Sequence, residues 1–243
     1  MERRTNIRTL FAGVFLFAAA LFTACGGNRA AGGGSAGVVL HTTAGDIRLE
    51  LDGRTPRHRD NFLKLTREGF FDSVLFHRVI AGFMIQSGDP DSRRAPAGMP
   101  LGEGGAGYEL PAEIIYPALG HTRGALAAAR TPDFMNPGKK SSSSQFYIVW
   151  GRQMTDEELD RAQQRVTGGT NGRVVIPDSL RELYKTVGGT PHLDGQYTVF
   201  GRVTQGLEVV EAIQGVETDS LDRPLADVRI LRAEVVREPD TEK

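Results

Sequence analysis

The chain of 243 residues has one cysteine, Cys25, so no disulfide can form within it. Its five histidines, His41, His58, His77, His121 and His192, show no metal-ligand spacing with each other or with Cys25, and no metal is expected. No Ser/His/Asp set lies near the run FHRVIAGFMIQSGDP (76–90), so any chemistry there works without a nucleophile or a metal. Neither charge sign is in excess, with 29 basic and 30 acidic residues, and nothing suggests nucleic-acid binding. The apolar run LFAGVFLFAAALF (10–22) falls short of the ~20 residues that span a bilayer comfortably. No repeat of solenoid or propeller period is visible.

Glycine and proline are plentiful, at 30 and 12, which favours turns and short strands over a helical bundle. The length suits one domain. The first residues stand apart from it: Arg3, Arg4 and Arg8 precede the apolar run, which ends in small residues before Cys25. This is the pattern of an export signal, and it resembles a bacterial lipoprotein leader. That resemblance implies cleavage before Cys25 and acylation of its thiol, with Phe22, Thr23 and Ala24 as the cleavage box. Leu21 sits one place early for the leucine that usually begins such a box. Removing residues 1–24 takes away three arginines and one glutamate, so 29 basic and 30 acidic residues become 26 and 29. The Gly/Ala/Ser-rich residues 25–37 read as a flexible tether.

From Val38 the pattern is that of a folded domain. VVLHTTAGDIRLEL (38–51) predicts a β-hairpin with Ile47, Leu49 and Leu51 on its buried face. TPRHRDNFLKLTREG (55–69) predicts a helix capped by Thr55, with Pro56 in its first turn, Phe62 and Leu65 inward and Gly69 past its end. Strands are expected at 73–80, 83–88, 124–129, 144–149 and 197–204, a second helix at 207–216, and a closing strand at 226–237. In that last strand Val228, Ile230 and Leu231 are candidates for burial. Residues 151–190 differ in character: Thr155 and Glu158 have capping-box spacing, and a second short helix starts near Pro177 and stops at Gly188 and Gly189. They read as a helical hairpin inserted on the rim. GEGGAG (102–107) lacks the strand and helix of a dinucleotide fingerprint and reads as a loop. GKKSSSS (138–144) reads as an exposed polar loop, and His77 as a packed, hydrogen-bonded histidine.

Taken together, FHRVIAGFMIQSGDP (76–90), SSSSQFYIV (141–149) and HLDGQYTVFG (192–201) resemble, in order, three motifs of the cyclophilin-type peptidyl-prolyl cis-trans isomerases. The resemblance implies a mainly β fold over 38–238: a closed eight-stranded antiparallel barrel capped by two helices, here with the inserted helical hairpin, and a tail at 239–243. It implies acceleration of Xaa-Pro rotation in exported proteins without a cofactor. Arg78 is then the catalytic arginine, and Gln86 holds it or the substrate backbone. Phe83 and Met84 form the floor and wall of a proline pocket, Gln145 contacts the residue before proline, and Ala129, Arg130, Tyr147, His192, Leu193 and Tyr197 complete the slot.

Several positions depart from the best-studied form of the family. His192 stands for Trp, Tyr197 for His, Tyr147 for Phe and Arg130 for Asn. The phenol rings keep aromatic walls, whereas His192 loses apolar area and an indole donor, which implies weak binding of cyclosporin-like ligands. Asp194 and Gly195 fit a tight turn. The expected partners are proline-containing peptides and unfolded exported proteins, met by a monomer lipid-anchored in the cell envelope at the periplasmic face of the outer membrane. Two rival readings are a catalytically weak peptide-binding or holdase module on the same fold, and a structural subunit of an envelope complex.

Overall fold

The structure, a computed structural model, describes residues 34–237 together with Met1. The expected leader with Cys25, the tether up to residue 33 and the tail at 239–243 lie outside the described residues.

β1 (Ala36–Thr42) and β2 (Gly45–Leu51) form the expected hairpin. Thr42 closes its turn, donating to the Gly45 carbonyl at 2.6 Å and accepting from the Ala44 N–H at 3.1 Å. Ile47, Leu49 and Leu51 are buried while Arg48 between them is exposed, as alternate residues of a half-buried strand must be. α1 (Pro56–Arg67) follows, with Phe62 and Leu65 buried. Thr55 does not cap it: its hydroxyl donates to the Asp52 carbonyl, and the N–H groups of Arg57 and His58 donate to the Glu113 carboxylate at 3.1 and 3.0 Å. The orphan donors of the first turn thus find an acceptor far along the chain.

The remaining strands are β3 (Arg78–Ile80), β4 (Met84–Ser87), β5 (Glu109–Leu110), β6 (Ala125–Ala128), β7 (Ser141–Ser142), β8 (Phe146–Val149), β9 (Val199–Gln205) and β10 (Ile230–Arg237). Eight of the ten described strands make one antiparallel sheet in the order β10-β1-β2-β9-β6-β8-β4-β3, while β5 and β7 pair separately. The expected closed barrel is therefore an open half-barrel. Closure fails because the strand expected at 73–80 is regular only over its last three residues. Residues 73–77 meet the approach to β10 through one bridge, Leu75 to Arg229, and isolated bonds such as Phe76 N–H to the Val228 carbonyl. Two further expectations fail. Leu231 is 54% exposed, and Ala233 takes the inward position two residues on. Ser141, Ser143 and Ser144 are buried, because β7 pairs with β5 and draws this segment inside.

Period-two alternation divides the central strands between two apolar clusters. Ile85, Leu126, Ala128, Phe146 and Ile148 face the main core, where Phe62 of α1 stacks on Phe71 at 4.7 Å and meets Phe146 edge-on at 5.3 Å. α4 (Leu207–Gln214) adds Val210 and Ile213 to that core. Met84, Ala125, Ala127, Tyr147 and Val149 face the other way, with Phe83, Leu193 and Tyr197 packed against them. The second face carries the site.

The insertion is helical as expected. α2 (Asp156–Gly169) has its capping box: Thr155 accepts from the Glu158 N–H at 3.3 Å, and the Glu158 carboxylate accepts from the Thr155 N–H at 2.9 Å. α3 (Asp178–Thr186) packs Leu180 and Tyr184 against Leu159 and Val166 of α2, a small core of its own.

Candidate active site

Strand register assembles the site. Arg78 of β3 pairs with Gln86 of β4, Gln86 with Tyr147 of β8, and Tyr147 with Ala127 of β6. Residues directly opposite in neighbouring strands share a face, so positions from three separate stretches of the chain, 78–86, 127 and 147, form one row. The row borders a cavity of about 170 Å³. Its apolar lining comes from Phe83, Met84, Ala129, Tyr147, Leu193 and Tyr197, and its polar lining from Arg78, Gln86 and Arg130. Among these described residues there is no serine, cysteine, histidine or carboxylate.

Two of the expected site residues lie beside this slot rather than in its lining. His192 stacks on Phe83, with ring centroids 5.5 Å apart. Burial lowers its pKa, with the Arg165 charge acting in the same direction, so the ring is neutral at pH 7. Gln145 borders the adjoining cavity of about 530 Å³, which shares Gln86, Ala129 and Arg130 with the slot. Its amide is occupied, donating to the Gly102 and Gly104 carbonyls at 2.7 Å and accepting from Gln86 Nε2 at 2.9 Å. The strand end behind it needs Gly88: at φ +95° the backbone passes so close to the Ser144 carbonyl that a Cβ would lie 2.0 Å from its oxygen.

The two arginines differ. Arg130 is pinned: Nε donates to the Gln196 carbonyl at 2.9 Å, Nη1 meets the Asp133 carboxylate at 2.6 Å, and the guanidinium lies 4.3 Å over the Tyr197 ring. Arg78 is 45% exposed and its Nε donates to Asp222 at 3.3 Å. Gln86 bonds Gln145 and not Arg78, which leaves the substrate-backbone alternative for Gln86. Asp222 was not foreseen; it stands 144 residues from Arg78, and its single carboxylate in a polar loop carries no pattern.

Behind the slot, Tyr147 is buried and its hydroxyl meets His121 Nε2 at 3.0 Å. Burial raises the Tyr147 pKa well above its usual value, so the wall is uncharged. Asp194 is fully buried and its carboxylate accepts from His121 and Tyr184, a larger role than the turn residue expected from sequence.

His77 is packed as expected, but among the described residues neither ring nitrogen has a hydrogen-bond partner. Burial pushes its pKa down to about 4, against the pull of the Asp89 carboxylate. An unfolded histidine titrates near ~6.5, so the unfolded chain takes up a proton that the folded chain resists. This contribution to stability is complete above about pH 6.5 and falls as pH drops toward 4, by about 3 kcal/mol at most. His58 and His192 are also lowered and act in the same direction. Urea titrations at pH 7 and 4.5 should show the decline, and His77→Leu should make it shallower; an equal decline in the variant would assign the acid loss to other groups.

Comparison with known proteins agrees with this geometry. Residues 37–235 match the family described as cyclophilin type peptidyl-prolyl cis-trans isomerase/CLD. The chain is 34% identical over 209 residues to peptidyl-prolyl cis-trans isomerase-like 1 of Neurospora crassa, covering 84% of this chain and 97% of that protein. It is 32% identical over 206 residues to peptidyl-prolyl cis-trans isomerase CYP18-1 of Arabidopsis thaliana, covering 83% and 97%. A crystal structure of a cyclophilin type peptidyl-prolyl cis-trans isomerase from Cryptosporidium parvum superposes with a TM-score of 0.59 at 25% identity, covering 84% of this chain and 99% of that one. The same parasite protein, crystallised in the presence of the dipeptide Ala-Pro, gives a TM-score of 0.58.

Proposed function

The chain belongs to the cyclophilin-type peptidyl-prolyl cis-trans isomerase family, and from that premise we propose how its slot turns an Xaa-Pro bond and where it does so. The reaction breaks no covalent bond and moves no proton. It only loses amide resonance, over a barrier of ~18–20 kcal/mol. A catalyst therefore needs an apolar seat for the pyrrolidine ring and a donor that favours the twisted amide, whose nitrogen regains its lone pair.

The observation that carries this reading is the row that sets Arg78 at the edge of an apolar cavity walled by Phe83, Met84, Tyr147, Leu193 and Tyr197. Phe83 and Met84 seat the ring. Arg78 donates to the proline carbonyl and approaches the nitrogen, with Nη1 and Nη2 facing substrate while Nε keeps Asp222. Gln86 and Gln145 line the path of the residues before proline, and Ala129, Arg130 and His192 shape the rim. If the acceleration is ~10⁵, about 7 kcal/mol is required. One well-placed donor supplies ~2.7–4 kcal/mol. The rest comes from holding a twisted bound geometry and excluding water from the more polar planar amide.

The substrates in this proposal are exported proteins that fold outside the cytoplasm, and the enzyme is a lipid-anchored monomer facing the periplasm. Supporting this is the basic, then apolar, then small-residue leader that ends at Cys25. One acyl chain gives only marginal binding, so stable attachment takes the multiple acylation of a lipoprotein cysteine. The test is to measure isomerase activity in the membrane and soluble fractions of cells making the wild type and Cys25→Ser. Activity in the wild-type membrane fraction that moves undiminished to the soluble fraction in the variant supports both parts. Membrane activity that ignores the substitution would sink the anchor, and absence of activity from both fractions would sink the enzyme.

A further inference from the structure

Tyr147 is the slot wall whose polar end points away from the ligand side, and that end is tied to a line of buried groups. Its hydroxyl meets His121 Nε2 at 3.0 Å, and His121 Nδ1 meets Asp194 Oδ1 at 2.9 Å. Asp194 Oδ2 accepts from the Tyr184 hydroxyl at 2.7 Å. Tyr147, His121, Asp194 and Tyr184 are 5%, 1%, 0% and 0% exposed. Tyr184 belongs to α3 of the insertion, so three hydrogen bonds join the inserted helix to the slot.

The contacts along this line constrain one another. A carboxylate only accepts, so His121 Nδ1 carries the proton that faces Asp194, and Nε2 is turned toward the Tyr147 hydroxyl. That contact fixes the height and tilt of the Tyr147 ring, whose plane lies 14° from that of His121. Asp194 is held on both oxygens, with Oδ1 also accepting from the His121 backbone N–H at 2.9 Å. It directly follows Leu193, a second wall of the slot. Tyr197, a third, packs edge-on against both His121 and Tyr147. Tyr184 is the partner that the structure gives Oδ2. Without its hydroxyl the carboxylate is free to turn about that side, and the ring position it imposes on His121 loosens.

We propose that Tyr184 is a positioning residue for the isomerase slot: through Asp194 and His121, the inserted helical hairpin sets the Tyr147 wall. The insertion is then part of the catalytic domain's own support and not an ornament on its rim. This rests on the slot being the proline site.

The test is a double-mutant cycle read by kinetics and by NMR. Tyr184→Phe removes one hydroxyl and keeps the ring that packs against Leu159 and Val166, so the insertion's core survives. In the wild-type background it should lower kcat/KM about fivefold, mainly through KM, whereas in a Tyr147→Phe background, where the line is already cut, it should change kcat/KM by less than about twofold. Equal losses in both backgrounds would make Tyr184 a packing residue and overturn the proposal. The ¹⁵N resonances of the His121 ring give a readout independent of turnover. They should shift in Tyr184→Phe, and unmoved resonances would also overturn it. A wild-type protein that turns over no peptide would refute the slot reading instead, and the ring nitrogens would then decide whether the line from Tyr184 exists.

Discussion

Replacing Arg78 by alanine should lower kcat/KM by about 10²–10³ while the protein stays folded. The fold survives because Arg78 is 45% exposed and its ion pair with the 42% exposed Asp222 is a solvent-screened contact. Such pairs contribute ~0–1 kcal/mol. The loss falls on kcat more than KM, since the apolar walls that seat the proline ring are untouched and the guanidinium acts most strongly on the twisted amide. Arg78→Lys should recover little of the rate. A lysine keeps the charge but not the planar fork, and it cannot keep one donor on Asp222 while presenting two more to the substrate in fixed directions. Line-shape or exchange NMR on a short Xaa-Pro peptide measures the effect. A folded Arg78→Ala enzyme with more than about half of the wild-type rate would remove Arg78 from the mechanism.

Asp194→Ala should cost about 3–5 kcal/mol of folding stability, since each buried donor left without a partner costs about 1–3 kcal/mol. The substitution leaves three donors with nothing to bond: the His121 N–H, the His121 ring and the Tyr184 hydroxyl. At ~2–4 °C per kcal/mol for a domain of this size, the melting temperature should fall by about 10 °C. Asp194→Asn, which retains one acceptor oxygen, should lose less. Urea or thermal unfolding checks this, and a loss below about 1 kcal/mol for Asp194→Ala would show that the network is not a support.

Much of this was legible in the chain because it is local. Alternation placed Ile47, Leu49 and Leu51 inside, Thr155 and Glu158 announced the start of α2, and two of the three motifs carried the residues that strand register then set side by side. What escaped depends on groups far apart in sequence. Glu113 takes over the cap of α1 from Thr55, and Asp222 takes Arg78. Neither has a neighbour that marks it. The barrel stays open because residues 73–77 meet the lead-in to β10 by only scattered bonds, and apolarity alone cannot say which stretches form ladders. Leu231 points outward because the β1–β10 register shifts beside it: Thr42 pairs with Ile230 and His41 with Arg232, and the bulge between them moves the inward face from Ile230 to Ala233, which no pattern of apolar residues announces. The buried Asp194 was hidden for a related reason: Leu-Asp-Gly is also what an exposed turn looks like, and only the fold brings His121 and Tyr184 to it.

The central claim is that this slot accelerates Xaa-Pro rotation without covalent chemistry. The most direct measurement is the cis-to-trans exchange rate of a short Xaa-Pro peptide with and without the purified protein at equilibrium. Acceleration at micromolar enzyme, proportional to enzyme and lost with Arg78→Ala, is the predicted result. A folded wild-type protein that binds the peptide and leaves its exchange rate unchanged would contradict it.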